Sequence, residues 1–373
     1  MKIVFIIDQV YLHGGIERVL SIKANYLAMN ENNDVHIITT EQKDKESCYF
    51  FEDTIAFYDL NVNYNRRKSY FHPVNLKKVP GHIKRLKSKI KKINPEVVVV
   101  CSHSTDTYFI PFINKKIPKV KEFHYSKSIE LVHRENPRNL QKKYFLKFAD
   151  FVERKYDKLV VLNKDEVGYY KSNNTTVIPN PLTFYPKTIS ALSNKTVIAA
   201  GRIAHVKGYD LLIDIWSIFF QKNKDWQLHI YGEGEPDYVQ MLKNKIKGYG
   251  LQEVVVLKGS TDKIQEKMLA SSIFAMSSHN ECFPLVLLEA QACGLPIVSF
   301  DCPNGPRNII NEENGILIPI YNNAVFADQL QILIDDDERL KEMGKKAREN
   351  AAKYKLDEVM NLWEKMFTEI KTK

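Results

Sequence analysis

The chain has 373 residues, 44% hydrophobic and 27% charged, which are the proportions of a soluble globular protein long enough for two domains of ordinary size. Its five cysteines (48, 101, 282, 293 and 302) keep neither paired nor zinc-like spacing, which argues against a disulfide scaffold or zinc finger and for reduced thiols in a cytoplasmic protein. The net charge of +9 is uneven: residues 1–185 carry 31 Lys/Arg against 20 Asp/Glu, and residues 186–373 carry 23 against 25, so the two halves are expected to meet different partners.

Lys2 to Asp8 reads as a buried parallel strand, too short an apolar run for a signal peptide or a membrane span. Gln9 to Gly15 is a loop. Ile16 begins a helix to about Met29, with Val19, Leu20, Ile22, Ala24 and Leu27 as its apolar residues, and a strand follows at Val35–Thr39. Strand, glycine turn, helix and strand make a mononucleotide-type unit. The turn lacks the full dinucleotide fingerprint, and Gly14-Gly15 read alone fits an ordinary tight turn.

Residues 41–75 read as irregular. Between Asn61 and Pro95 stand 11 basic residues and no acidic one, a patch suited to anionic lipid, a pyrophosphate-bearing substrate or nucleic acid. The predicted helix Pro80–Ile93 sets Val79, Ile83, Leu86, Ile90 and Ile93 on one face and Lys/Arg on the others. This fits a helix packed on a sheet with a solvated basic face, and the same face suits an anionic membrane. Strands are expected at Glu96–Cys101, ending at Ser102-His103-Ser104, at Val120–Phe123, ending at His124, and at Leu159–Leu162 and Thr176–Ile178.

Residues 183–194, with Pro186 and several Ser, Thr and Asn, read as a linker, after which the pattern restarts. Strands are predicted at Thr196–Ala200, Trp226–Tyr231, Val254–Leu257, Ile273–Met276 and Pro296–Phe300. Helices are predicted at Tyr209–Phe220, Tyr238–Tyr249 and from Asp262, and then at Asn322–Ile334, Asp337–Asn350 and Asp357–Lys371. Gly305-Pro306-Arg307 and Asn314-Gly315 bracket a short helix. The alternation predicts an α/β protein with two open parallel sheets.

The most informative stretch is Ser278 to Ala290. Pro284 fits the first position of a helix that Gly294-Leu295-Pro296 closes, so Glu281 lies in the loop leading in and Glu289 just over a turn inside. A helix N-terminus attracts a phosphate, and carboxylates accept hydrogen bonds from sugar hydroxyls; together they describe a nucleotide-sugar. The bland alternative makes Glu289 a surface helix residue and Glu281 part of a cap.

Taken together, Gly14-Gly15-Ile16-Glu17-Arg18, Gly201-Arg202…Lys207-Gly208, Gly232-Glu233-Gly234, Glu281…Glu289 through Pro296, and Gly305-Pro306-Arg307 resemble glycosyltransferase family 4, the retaining nucleotide-sugar transferases of GT-B fold. The resemblance spans nearly the whole chain. Cys282 departs from it, standing where the family often has Gly, so the backbone approach to the sugar is expected to differ slightly. The resemblance implies two Rossmann-like parallel-sheet domains facing a central cleft. An acceptor-side domain would span 1–184, with the final helix 357–373 packed back on it, and a donor domain 185–356.

By the same resemblance Arg202 and Lys207 stabilise the departing diphosphate, with a surface salt bridge as the plainer role for Arg202. Glu281 holds the donor sugar hydroxyls and Glu289 the ribose hydroxyls. Gly14, Gly15, Gly232, Cys282, Phe283, Pro284 and Leu285 line the donor. The backbone of Thr261 to Ile264, including Asp262, meets the base. His124 faces the sugar and acceptor, with a hydrogen-bonded strand-end histidine as its bland reading and His103 as its rival. No metal site is expected: Asp335-Asp336-Asp337 reads as helix capping, and the nucleotide-sugar is a co-substrate rather than a cofactor.

The implied activity is transfer of a hexose or N-acetylhexosamine from a nucleotide-sugar, UDP by family frequency, to a saccharide or polyprenyl-linked acceptor in surface polysaccharide or lipopolysaccharide synthesis. A nucleotide-sugar epimerase of the same fold and a non-catalytic nucleotide-sugar-binding subunit are the alternatives. The expected setting is cytoplasmic, with peripheral contact to an anionic membrane through residues 66–92 and no nucleic-acid partner.

Overall fold

Parallel strands are covered on both faces, so their sequences run apolar without alternation. In the computed structural model Val97–Val100 is such a run, fully buried at the centre of the first sheet. Residues 1–69, 72–101, 103–128, 130, 134 and 140–371 are described. Tyr70 and Phe71 of the basic stretch, Ser102, and residues 372–373 of the segment 357–373 expected to be the final helix lie outside them.

The first sheet holds β1 (Lys2–Ile7), β2 (Asp34–Thr39), β3 (Ala56–Asp59), β4 (Val97–Val100), β5 (Lys119–Glu122), β6 (Lys158–Val161) and β7 (Thr175–Val177). Their order is β3-β2-β1-β4-β5-β6-β7, every neighbour pairing parallel, with Lys2 opposite Asp34 through Ile7 opposite Thr39. All strands therefore end on one edge, and the residues after β1, β4 and β5 gather there.

One expectation needs correction here, and one helix is new. Residues 41–75 are not wholly irregular: they contain β3 and the short helix Pro73–Leu76. β3 is a four-residue edge strand, half-exposed and exposed in alternation, too short to stand out as a pattern. A helix at Leu140–Glu153, not foreseen, crosses between β5 and β6.

The final helix, Leu356–Lys371, buries Val359, Met360, Trp363, Met366, Phe367 and Ile370. Lys23 sits 4.2 Å from the Trp363 ring centroid, Lys158 pairs with Glu369 at 3.7 Å, and Lys371 pairs with Glu96. One compact unit accordingly comprises Met1–Pro181 with Val359–Lys373, and the other Leu182–Glu358.

The second sheet holds β8 (Thr196–Ala200), β9 (Gln227–Tyr231), β10 (Val255–Gly259), β11 (Ile273–Met276), β12 (Ile297–Phe300) and β13 (Gly315–Ile318), ordered β10-β9-β8-β11-β12-β13 and parallel throughout. Trp216, Phe219, Phe300 and Phe326 fill its core. The short helix expected between Gly305 and Gly315 is only a single 3-10 turn, Pro306–Asn308, and the apolar residues after it form β13. The predicted linker is pinned to this unit: the Ser190 N–H donates to the Cys293 carbonyl at 2.8 Å and its hydroxyl to the Ser271 carbonyl at 2.5 Å. Among the described residues no helix is long and apolar enough to cross a membrane.

Candidate active site

In the second unit the loop after β8 carries Gly201, Arg202 and a 3-10 turn, His205–Lys207, ended by Gly208. Gly208 has φ +62°, and a Cβ there would stand 2.1 Å from the Ser277 carbonyl oxygen, so only glycine lets this loop lie on the end of β11. That contact sets Lys207. Its Nζ donates to Glu281 Oε1 at 2.6 Å, and the Ser278 hydroxyl donates to the same oxygen at 2.7 Å. Lys207, Ser278 and Glu281 line a small cavity of about 10 Å³ with Ala200, Tyr209 and Val286. Arg202 is exposed on the same loop and has no ion-pair partner among the described residues.

The Glu281 turn is held from behind. Glu281 bridges Asn304, and a Cβ on Gly305 would fall 2.5 Å from Glu281 Cβ. Arg307 forks onto Asp301 at 2.9 and 2.8 Å. Gly305-Pro306-Arg307 thus supports the Glu281 backbone.

Pro284 is not the first helical residue but the cap before helix Leu285–Ala292, with φ −72° and ψ 100°. Its ring fixes φ and leaves ψ free, so the cap position suits it equally. No side chain caps this helix start; uncapped N–H groups there attract anions. Cys282 and Leu285 are half-buried, and Phe283 is buried with its ring 5.7 Å from that of Tyr354. Glu289 is 4% exposed, so it is no surface residue, and its Oε1 accepts the Thr183 hydroxyl at 2.5 Å. Gly232 follows β9 and donates its N–H to the Gly259 carbonyl at 2.8 Å. Asp262 is exposed in the loop after β10, and the helix expected from Asp262 begins at Ile264.

In the first unit Gly14 caps helix Gly15–Ala28, and the space a Gly15 side chain would enter is open. Glu17, in that first turn, accepts from Gln9 at 2.5 Å; burial raises its pKa, Asp8 adds to this, and its hydrogen bonds and His124 oppose it.

His124 follows β5. Its Nε2 lies 3.4 Å from Glu122 Oε1, which also takes Lys23 Nζ at 2.5 Å. Burial alone would raise the Glu122 pKa, but Lys23 and His124 outweigh it and hold the carboxyl well below the usual range. Lys121 is fully buried and its pKa is pushed down by that burial to about 8. His103, the rival, is half-buried; desolvation first, then Lys121 and His124, hold its pKa far down. The two imidazoles lie edge to face, 6.2 Å between centroids.

The structure therefore joins Lys207 to Glu281, leaves Arg202 exposed on the same loop, and gives Glu289 a separate hydroxyl partner in Thr183. Ser278, Thr183 and the Lys23–Glu122 pair were not anticipated. Ser278 is three residues before Glu281, whereas Thr183 is 106 residues from Glu289 and Lys23 is 99 from Glu122, separations that no local pattern reveals. Asp336 accepts from the Arg339 N–H at 2.9 Å, so its role at Asp335-Asp336-Asp337 is a helix cap.

Residues 185–350 match the family model described as Glycosyl transferases group 1. Over 370 residues the chain is 29% identical to an uncharacterized glycosyltransferase of Haemophilus influenzae, spanning 97% of this chain and 98% of that one. It is 31% identical over 218 residues to the amylovoran biosynthesis glycosyltransferase AmsD of Erwinia amylovora, 56% of this chain and 61% of that protein. Among solved structures, HepE of Anabaena in complex with UDP-glucose matches with a TM-score of 0.75 at 17% identity, over 99% of this chain and 100% of that one. The fold is GT-B: α/β, with two Rossmann-like parallel-sheet domains.

Proposed function

We propose that this chain, a glycosyltransferase whose second unit holds a glycosyl transferases group 1 domain, moves a hexose or N-acetylhexosamine from a UDP-sugar, with retention as in family 4, to a saccharide or lipid-linked saccharide in surface polysaccharide assembly. The observation that carries this reading is the Lys207–Glu281–Ser278 cluster beside an uncapped helix start. It offers positive charge for a diphosphate and carboxylate oxygen for sugar hydroxyls side by side.

In this reading Arg202 and Lys207 stabilise the charge that grows on the leaving diphosphate, and no divalent metal is invoked. Glu281 orients the sugar through its hydroxyls. Glu289 already holds a hydroxyl, that of Thr183, and takes ribose hydroxyls in the same manner. The backbone of 261–264 meets the base, and His124 serves the sugar and the incoming acceptor. The acceptor oxygen bonds to the anomeric carbon from the leaving-group face as the carbon–phosphate-oxygen bond breaks. The acceptor proton passes to the diphosphate oxygen, and because attack and departure share one face the anomeric configuration is kept.

The names of the relatives support the substrate class: AmsD is an amylovoran biosynthesis glycosyltransferase, and HepE was solved with UDP-glucose. The test is a thermal-shift panel of nucleotides and nucleotide-sugars, then UDP release with membrane extract as acceptor. UDP-sugars should raise the melting temperature, and Arg202→Ala and Glu281→Gln should each lower kcat by about 10²–10³-fold. Variants as active as the parent would overturn the site assignment.

A further inference from the structure

The helix Leu140–Glu153 turns one apolar stripe inward and another outward. Leu146, Ala149 and Val152 are buried on the sheet. Leu140, Tyr144, Phe148 and Phe151, spaced i, i+4, i+8 and i+11, fall within an arc of about 80° on the opposite side. They are 70%, 66%, 43% and 49% exposed. The stripe widens onto the 3-10 turns between β4 and β5, where Phe112 stacks on Phe151 at 6.1 Å and Tyr108 on Phe148 at 6.0 Å. A surface this aromatic is a contact surface for something.

Its charges say what. Lys143 and Lys147 are exposed along the flank, and Lys155 lies 5.0 Å from the Phe151 ring centroid. The helix's acidic residues do not offset them: Asp150 is taken by Arg134 at 2.8 Å and Glu153 by Lys127 at 2.5 Å. Helix Val79–Ile93 packs on the same face of the sheet, because Leu86, Ile90 and Ile93 share one core with Val152 and Tyr156. Its outer side carries exposed Lys84, Lys87, Lys91 and Lys92. Lysine is depleted at protein–protein contacts, whereas rings at headgroup level with ammonium groups among lipid phosphates are what a bilayer surface accepts.

We propose that the stripe Leu140, Tyr144, Phe148 and Phe151 seats this chain on an anionic lipid surface, with the two lysine-bearing helices supplying the attraction. The inference places the apolar anchor outside residues 66–92 and does not rest on the donor reading.

The test is co-sedimentation of the full chain with vesicles of phosphatidylcholine and phosphatidylglycerol, against phosphatidylcholine alone. The parent should sediment with the anionic vesicles only, and less at high salt. Tyr144→Ser/Phe148→Ser/Phe151→Ser should weaken binding roughly tenfold or more by removing the buried apolar area. Lys143→Ala/Lys147→Ala, which leaves the packing alone, should weaken it about tenfold or more. Unchanged circular dichroism and unchanged UDP-sugar turnover in solution keep folding and the donor site separate from the result. A parent that ignores anionic vesicles, or a triple variant that binds as the parent does, overturns the inference. So does a dimer in vesicle-free solution that the triple substitution dissolves, because a second copy would then own the stripe.

Discussion

Glu122 is a carboxylate with almost no access to water, and it is tolerable only because Lys23 and His124 share its oxygen. Removing one member of such a pair strands the other. Glu122→Gln leaves the Lys23 ammonium buried without its counter-charge and should cost roughly 3–5 kcal/mol in urea unfolding. Lys23→Met added to it should recover much of the loss, because a thioether packs on Trp363 where the lysine now lies. His82 is the complementary case. Burial first, and Arg85 second, lower its pKa from 6.5 to about 4. Between those values the unfolded chain takes a proton that the folded chain refuses, so stability falls as pH falls through that window, by about 1.4 kcal/mol per unit for this one group. His82→Gln, which can keep a hydrogen bond to the Tyr64 hydroxyl, now 2.9 Å from Nδ1, should flatten the slope of stability against pH from 6.5 to 4 by about one proton.

At the scale of elements, the loop after β8 and the end of β11 form one object. Gly208→Ala would add a Cβ 2.1 Å from the Ser277 carbonyl at φ +62°, so either the loop or the strand end must move. Strain and clash together should cost at least about 2 kcal/mol. UDP-sugar turnover should fall with it, since Lys207 is then displaced from Glu281; a variant equal to the parent in melting temperature and turnover would refute this coupling. Much of this scale is readable from sequence. Val97–Val100 is an unbroken valine run, Gly208 closes a motif, and Glu281 and Glu289 sit at fixed spacing around a helix start. What escapes is what depends on neighbours. β3 is an edge strand of four residues, none of them buried, so its alternation shows no apolar face. β13 begins at the Gly of Asn314-Gly315, a pair that reads as a turn, yet Gly315 pairs with Ile297 in the neighbouring strand. The outward stripe of helix Leu140–Glu153 adds a second apolar face to the inward one, and two faces blur the single period by which a surface helix is recognised. The residues named by motif lie in short stretches of sequence, while Thr183 reaches Glu289 in the second unit, and Lys23 reaches Glu122 in the first, through contacts that only folding makes.

At the scale of the molecule, each unit has its own sheet and its own buried core, and the chain passes between them only at Pro181–Leu182 and Glu358–Val359. Two such cores can unfold separately, and a ligand that binds one should stabilise that one alone. The three tryptophans divide between them: Trp216 and Trp226 are buried in the second unit and Trp363 in the first. In a Trp363→Phe chain fluorescence therefore follows the second unit, and in a Trp216→Phe/Trp226→Phe chain it follows the first. At a UDP concentration near 100 Kd the folded, binding unit gains about 2.7 kcal/mol. With a urea slope of about 1–3 kcal/mol/M, that moves the Trp216/Trp226 midpoint by about 1 M or more. The Trp363 midpoint should stay where it is. Equal shifts from both reporters would mean that the cores unfold as one cooperative block, and a shift confined to Trp363 would move the nucleotide to the first unit and with it the role assigned to Lys207 and Glu281.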